Sequence, residues 1–115
     1  MTSYNPGDVV LVNFIFSDES GMKKRPGLVV SSNQFYNQRN ELIIAAITGQ
    51  IEKLRFGDYL VKDHKKAGLL HPSAVTGVIR TMKSGMVYKL LGKFSSLDIQ
   101  ASYYNISNNL NLPVD

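Results

Sequence analysis

The chain reads Val9-Val10-Leu11-Val12-Asn13-Phe14-Ile15-Phe16 directly after the turn signal Asn5-Pro6-Gly7-Asp8. β-Branched and aromatic residues of this kind are enriched in strands, and the polar stretch 17–21 bounds the run on its far side. The run therefore predicts a well-buried first strand.

Five further apolar segments follow the first strand, and glycines recur between the later ones. They predict strands at residues 28–30, 42–47, 59–61, 74–79 and 86–91. No long helical pattern lies between them. Many short strands at turn-rich spacing predict a barrel or a strongly curled sheet.

The last segment has a different period. Apolar residues recur there at spacings of four, three and four, which is one face of a helix: Ile99, Tyr103, Ile106 and Leu110. Ser95 followed by Asp98 resembles a capping box, and Pro113 is expected to end the helix. The predicted fold class is mainly β with a C-terminal α-helix, in a single domain over residues 1–115.

Composition narrows the class of protein. At 115 residues, with 43% hydrophobic and 19% charged residues, the chain is expected to be an ordinary globular domain. It has no cysteine, which excludes a disulfide framework and a thiolate nucleophile and suits a reducing cytosol. No signal-peptide pattern and no apolar run of membrane-spanning length occurs, so a cytoplasmic location is expected.

Positive charge is concentrated in the middle of the chain. The formal net charge is +4, but all thirteen Lys and Arg residues lie within residues 23–93, where four acidic residues oppose them and leave +9. A basic segment favours an anionic partner such as nucleic acid, although solvated charge on a soluble domain gives the same count.

Several catalytic classes lack their motifs. The two histidines, His64 and His71, sit in no recognisable motif, and no Gly-x-Ser-x-Gly elbow is present. Phosphate-binding glycine loops and metal-ligand spacings are also absent from the sequence. We therefore expect neither a cofactor nor a metal ion.

Arg25 is the basic residue best suited to a functional role. It precedes Pro26, which pushes its backbone towards extended geometry and predicts a position at a loop-to-strand junction. A guanidinium held in this way can contact a phosphate through two N–H groups, which a lysine cannot reproduce. Ser31 and Thr48 also lie at predicted strand ends, and the three ends are expected to converge, although a hydroxyl at such a position usually closes a turn.

Blocks of sequence then resemble the PemK/MazF toxin family, in the family's order and over most of the chain. The blocks are Gly7-Asp8-Val9-Val10, Lys24-Arg25-Pro26-Gly27-Leu28-Val29-Val30-Ser31, Ile44-Ala45-Ala46-Ile47-Thr48, Ala67-Gly68-Leu69-Leu70-His71-Pro72-Ser73-Ala74-Val75, Ile79-Arg80-Thr81 and Leu90-Leu91-Gly92-Lys93-Phe94-Ser95. Two positions depart from the pattern: Ala46, where the family often has proline, and Val78, where it often has a polar residue. The second departure implies a changed preference for the RNA sequence that is cut.

The resemblance implies a fold and an activity. The fold is an SH3-like β-barrel with a C-terminal helix, shared with the CcdB toxins and assembled as a homodimer. The activity is sequence-specific, metal-independent cleavage of single-stranded RNA, with Arg25 and Thr48 as the catalytic pair. The implied partner is an antitoxin whose acidic tail covers the RNA groove, and contact with DNA is expected only through that antitoxin.

A mechanism can be set beside the resemblance. RNA supplies its own nucleophile, the 2′-hydroxyl, so the enzyme must align it, stabilise charge on the phosphate and manage two protons. The products would be a 2′,3′-cyclic phosphate and a 5′-hydroxyl. Arg25 suits charge stabilisation, but an arginine that stays protonated is a poor general base. Three residues are open candidates for the base: Asp18, Glu19 and His71.

RNA contacts beyond the catalytic pair are predicted at Lys23, Lys24, Ser31 and Arg80, with Phe16 as a base-stacking platform. Two alternatives stay open at this point. One is a non-enzymatic, CcdB-like toxin that binds a protein such as DNA gyrase, and the other is a catalytically silent RNA-binding relative.

Overall fold

A single six-stranded antiparallel sheet and one long helix make up most of the fold. The computed structural model describes residues 3–14 and 23–113. Its elements are β1 (Asp8–Phe14), β2 (Lys23–Val29), α1 (Asn33–Arg39), β3 (Glu41–Thr48), β4 (Tyr59–Leu60), β5 (Ala74–Lys83), β6 (Val87–Lys93) and α2 (Ser96–Asn109), with 3-10 turns at Ile51–Lys53 and Ser84–Met86. The strand order is β4-β5-β3-β2-β1-β6, so the predicted class, mainly β with a C-terminal helix, is confirmed.

The curl of the sheet brings the loop after β4 against β6. A Cβ on Gly68 would collide with the carbonyl oxygen of Leu91, and one on Gly92 would lie 2.5 Å from the carbonyl of Ala67. Gly68 also has φ +79°, in the left-handed region that favours glycine. Strands β4 and β6 lie at opposite ends of the strand order, so this backbone contact joins the two edges of a barrel-like sheet that has no closing ladder.

Both faces of the sheet are covered by apolar side chains, in two buried clusters. The first cluster contains Val9, Leu28, Ala45, Ile47, Val61, Ala67, Leu69, Val75 and Phe94 together with Ile106 of α2. The second contains Val10, Val12, Phe14, Val29, Leu42, Ile44 and Ala46. Successive residues of a strand alternate between faces, and β1 contributes to both clusters, which confirms its prediction as a buried strand.

Strand β2 begins five residues before its predicted start at Leu28. Lys23, Lys24 and Arg25 were expected to end a loop, but they pair with Phe14, Asn13 and Val12 of β1. Strand β2 pairs with β3 only from Gly27 onward, so the edge of Pro26 that faces β3 makes no ladder hydrogen bonds. Pro26 fits inside the strand because it has no N–H group to donate at that edge. The loop-to-strand junction predicted at Arg25 is therefore wrong: Arg25 is the third residue of β2.

A short helix, α1, separates β2 from β3 and was not predicted. Its N-terminus is capped by Ser32, whose hydroxyl accepts a hydrogen bond from the backbone N–H of Phe35 at 3.1 Å. Asn40 ends it in the left-handed conformation, with φ 55°. These capping residues were the available signal, because the apolar periodicity of this seven-residue segment is weak.

Helix α2 has the predicted N-terminus but a partly different buried face. Ser95 is the N-cap and accepts from the N–H of Asp98 at 3.1 Å, as the capping box predicted. The buried residues are Asp98, Ser102 and Ile106, whereas Leu110, assigned to the apolar face, is 54% exposed just beyond the helix. In the described residues no helix has the length and apolar character to cross a membrane.

The buried carboxylate of Asp98 joins α2 to the segment after β4. It accepts hydrogen bonds from the Tyr59 hydroxyl at 2.6 Å, from the backbone N–H groups of Lys62 and Asp63 at 3.0 Å each, and from the Ser95 hydroxyl at 3.2 Å. Burial by itself would raise the pKa of this carboxyl, but these four hydrogen bonds outweigh burial and hold the pKa below its ordinary value. Burial and the same carboxylate raise the pKa of Tyr59.

Candidate functional site

An open cavity of about 930 Å³ lies at the edge of the sheet where β2, β3 and β5 meet the loop after β3. The residues that line it come from these four segments: Arg25, Ala46, Ile47, Thr48, Gln50, Lys53, Arg55, Phe56, Asp58, Thr76, Gly77 and Val78. The cavity contains both residues of the predicted catalytic pair and both positions, Ala46 and Val78, that depart from the family pattern.

A bulge in β5 shapes one wall of the cavity. Ala45 pairs with Ile79 and Ile47 with Val75, so four steps along β5 correspond to two along β3. The Thr76 hydroxyl donates to the carbonyl of Ala46 at 2.9 Å and accepts from the N–H of Val78 at 3.2 Å. The Thr76 side chain thus replaces ladder hydrogen bonds, and the bulge turns residues 76–78 towards the cavity.

Arg25 reaches the cavity from β2. It lies directly opposite the buried Val12 of β1 and two residues before Gly27, which pairs with Ala46. These pairings place Arg25 on the face of the second apolar cluster, and its side chain is half-buried. Arg25 is therefore a half-buried cation in the cavity lining.

Thr48 ends β3, the strand next to β2, and lines the same cavity as Arg25. Its hydroxyl oxygen accepts from the backbone N–H of Gln50 at 3.2 Å and so closes the turn that follows the strand. Because the oxygen acts there as an acceptor, the hydroxyl proton stays available for donation to a bound ligand. A turn-closing role and a ligand contact are compatible at Thr48.

The loop after β3 supplies five further lining residues that sequence reasoning missed: Gln50, Lys53, Arg55, Phe56 and Asp58. The signal was present, since Lys53-Leu54-Arg55-Phe56-Gly57-Asp58 places two basic residues before an aromatic one and a Gly-Asp turn. With Arg25, the lining carries three cationic side chains against the one carboxylate of Asp58. The cavity therefore favours an anionic ligand.

The remaining predicted contact residues lie outside the cavity lining. Lys23 shares the face of Arg25 by strand alternation, and Arg80 does so through its pairing with Ile44. Lys24 lies on the other face, where its Nζ is 4.1 Å from the centroid of the Tyr88 ring.

Ser31 is buried, and its hydroxyl oxygen accepts from the N–H of Ile43 at 3.0 Å, so the predicted convergence with Arg25 and Thr48 is not seen for Ser31. His71 is exposed and does not line the cavity. Three other predicted residues, Phe16, Asp18 and Glu19, lie outside the described residues. Within residues 3–14 and 23–113 no group of three or more His, Cys, Asp or Glu side chains is placed to hold a metal ion.

Comparison with known proteins gives both a family and a fold. Residues 5–107 match the sequence pattern of the family described as PemK-like, MazF-like toxin of type II toxin-antitoxin system. No curated protein sequence is significantly similar to the chain.

Solved structures resemble this one over almost their full length. A mycobacterial endoribonuclease in complex with its cognate antitoxin has a TM-score of 0.76 at 16% identity, covering 100% of both chains. The MazE-MazF Form-III structure from Deinococcus radiodurans has a TM-score of 0.76 at 14% identity, covering 97% of this chain and 100% of that one. The Mycobacterium tuberculosis toxin MazF-mt6 has a TM-score of 0.74 at 19% identity, covering 93% of this chain and 99% of that one. At these identities the likeness establishes the fold.

Proposed function

We propose that this chain, which belongs to the family of PemK-like, MazF-like toxins of type II toxin-antitoxin systems, is an endoribonuclease that cuts single-stranded RNA at short sequences. The observation that carries the proposal is the shared cavity of Arg25 and Thr48, which is lined by further cations and open to solvent. Solved structures of the same fold include proteins named as endoribonucleases, which supports the same conclusion.

The chemistry that we propose is transesterification within the RNA. The 2′-oxygen loses its proton to a base and attacks the adjacent phosphorus, the bond from phosphorus to the 5′-oxygen breaks, and the leaving 5′-oxygen takes up a proton. The products are a 2′,3′-cyclic phosphate and a 5′-hydroxyl. The nucleophile belongs to the substrate, so we propose that no metal ion is required. Asp18 and Glu19 remain the candidates for the base, because His71 does not line the cavity.

Arg25 has the role of stabilising the charge that develops on the phosphate. Its guanidinium presents several N–H donors in a fixed plane, and two of them match two phosphate oxygens. Half-burial lowers the effective dielectric around this contact and strengthens it relative to a contact in water. Thr48, which lines the same cavity, orients the phosphate or the 2′-hydroxyl by donating its hydroxyl proton.

The first test is the reaction itself. Purified wild-type protein, incubated with one long single-stranded RNA in excess EDTA, is expected to cut at a small set of related sequences. End analysis should find a cyclic phosphate on one fragment and a 5′-hydroxyl on the other. Intact RNA over a wide range of sequences, or activity that appears only with added divalent metal, would contradict the proposal.

A second test separates the two roles of Thr48. Thr48→Val keeps the shape and removes the hydroxyl, and we expect kcat for RNA cleavage to fall roughly tenfold to a hundredfold, the range for loss of one positioned polar contact. Thr48→Ser retains the hydroxyl and should recover most of the rate. If Thr48→Val loses activity only in proportion to its loss of melting temperature, and Thr48→Ser recovers both together, the hydroxyl serves only the turn at Gln50.

The proposed partners are an antitoxin and a second copy of this chain. An acidic antitoxin segment would complement the cationic lining of the cavity, and one of the solved structures of this fold is described as a complex with its cognate antitoxin. Val78 presents an apolar wall where the family often has a polar residue, and it therefore supports a preferred cleavage sequence different from that of relatives with a polar residue there.

A further inference from the structure

Phe56 is an apolar aromatic side chain in an unusual setting. It is 100% exposed, although it belongs to the cavity that also contains Arg25 and Thr48. A phenylalanine in this position gains nothing from burial in the chain itself. Its exposure therefore calls for either a conformation fixed for a ligand or a loop that is loosely held.

The turn that carries Phe56 is held firmly. The N–H of Arg55 donates to Oδ2 of Asp58 at 3.0 Å, and the N–H of Asp58 donates to the carbonyl of Arg55 at 3.1 Å. Gly57, the third residue of the turn, has φ +97°, as a type II turn requires. Two closely spaced hydrogen bonds thus fix the backbone on both sides of Phe56.

Helix α2 anchors the same turn from outside. The side-chain amides of Asn105 and Asn109 both donate to the carbonyl oxygen of Gly57, at 2.7 and 2.9 Å. Residues four apart lie on one face of a helix, so the two asparagines act together on a single acceptor. A Cβ on Gly57 would lie 2.9 Å from Oδ1 of Asn109, so the turn and the helix are in direct contact. The loop is fixed, and Phe56 is therefore presented to solvent at the mouth of the cavity.

The surroundings of Phe56 identify the kind of ligand. Lys53 and Arg55 lie three residues and one residue before it in the sequence, and both line the cavity with Arg25. Protein interfaces deplete lysine at their cores, whereas surfaces that bind single-stranded nucleic acid combine cations for the phosphates with an aromatic face for the bases. This combination fits an unstacked base with a neighbouring phosphate.

We infer that Phe56 is a stacking platform for a base of single-stranded RNA next to the cleaved phosphate. This role rests on the proposed function and deepens it: Arg25 and Thr48 contact the phosphate, and Phe56 holds a neighbouring base. Asn105 and Asn109 are positioning residues, because they fix the turn without touching the RNA. Stacking tolerates any base, so Phe56 contributes affinity and register more than choice of sequence.

Binding without cleavage provides the direct test. The chain contains no tryptophan, so Phe56→Trp introduces a single fluorescent reporter at the proposed platform. The probe is a single-stranded 2′-O-methyl oligonucleotide containing a mapped cleavage site, which has no free 2′-hydroxyl and stays intact. We expect saturable quenching of the tryptophan, and we expect loss of that quenching when one nucleotide beside the cleavage site is made abasic. Leu70→Trp is the matched control, since Leu70 is 90% exposed outside the cavity lining, and its fluorescence should not change.

Substitutions then separate stacking from apolar contact. Phe56→Ala and Phe56→Leu should both raise the KM for RNA cleavage by roughly tenfold or more, the size expected for loss of one base stack, while Phe56→Tyr should stay close to wild type. The double variant Asn105→Ala, Asn109→Ala should raise KM in the same direction with the phenylalanine still present. Leu70→Ala should leave KM unchanged.

The outcomes that overturn the inference differ from those that overturn the function. If the wild-type protein cuts RNA and Phe56→Ala has the same KM and the same cleavage sites, Phe56 has no stacking role, and the proposed endoribonuclease function stands. A change in oligomeric state or in antitoxin binding in Phe56→Ala, with RNA affinity preserved, assigns the residue to a protein interface instead. Absence of both RNA cleavage and RNA binding by the wild-type protein rejects the proposed function, and the stacking role with it.

Discussion

Arg25→Ala is expected to reduce kcat for RNA cleavage by roughly a hundredfold to a thousandfold, the loss found when one positioned donor to a developing charge is removed. The effect should fall mainly on kcat, because the added negative charge exists in the transition state and not in the bound substrate. The measurement is single-turnover cleavage of an oligonucleotide that carries one mapped site.

Two further variants test whether the loss of rate is due to the guanidinium of Arg25. Arg25→Lys keeps the charge but not the planar pair of donors, so it should recover only part of the lost rate. Arg39→Ala is the matched control, because Arg39 is exposed, pairs with Glu41 at 2.7 Å and does not line the cavity. Cleavage by folded Arg25→Ala at the wild-type rate would remove Arg25 from the mechanism.

Asp98→Ala is expected to give the largest loss of stability of any variant considered. It leaves the Tyr59 hydroxyl and the N–H groups of Lys62 and Asp63 without their acceptor inside the protein. These hydrogen bonds are partly buried, and each polar group left without a partner costs up to about 1–3 kcal/mol, so the free energy of unfolding should fall by roughly 3–5 kcal/mol. Against a typical total of about 5–15 kcal/mol, this should be visible as a large shift of the urea midpoint at pH 7.

The same carboxylate makes stability depend on pH. The pKa of Asp98 is lower in the folded protein than in the unfolded chain, so its contribution is fully present above the ordinary carboxyl pKa and disappears as the pH falls through the lower folded value. The difference in stability between wild type and Asp98→Ala should therefore become smaller in acid.

The control is Asp63→Asn, which changes an exposed carboxylate. Its free energy of unfolding should stay within about 0.5 kcal/mol of wild type. An Asp98→Ala midpoint equal to that of Asp63→Asn would contradict the assignment.

Local patterns predicted the strands and the last helix because their apolar residues are continuous or periodic along the chain. They did not predict the start of β2, where Lys23 and Lys24 have no apolar pattern and become strand through pairing with β1. Tertiary pairing of this kind overrides local preference. The family blocks drew attention to Arg25 and Thr48, and the structure places both on one cavity.

Other features depend on contacts between distant residues, which no local pattern contains. Asp98 was expected only as a helix cap, yet most of its hydrogen bonds go to residues 35–39 positions away. Phe56 belongs to the cavity because asparagines 48 and 52 positions from Gly57 hold its turn in place. In both cases the sequence contains the residue types, but only the fold brings the partners together.

The last turn of α2 contacts segments that form the cavity, although the helix itself does not line it. Asn109 donates to the carbonyl of Gly57, next to Phe56, and a Cβ on Gly77, which lines the cavity, would lie 3.6 Å from the same amide. One side chain outside the cavity lining therefore lies next to both the turn that carries Phe56 and residue 77 of β5. Substitutions along this helix are therefore expected to change the shape of the cavity while every residue that lines it stays the same.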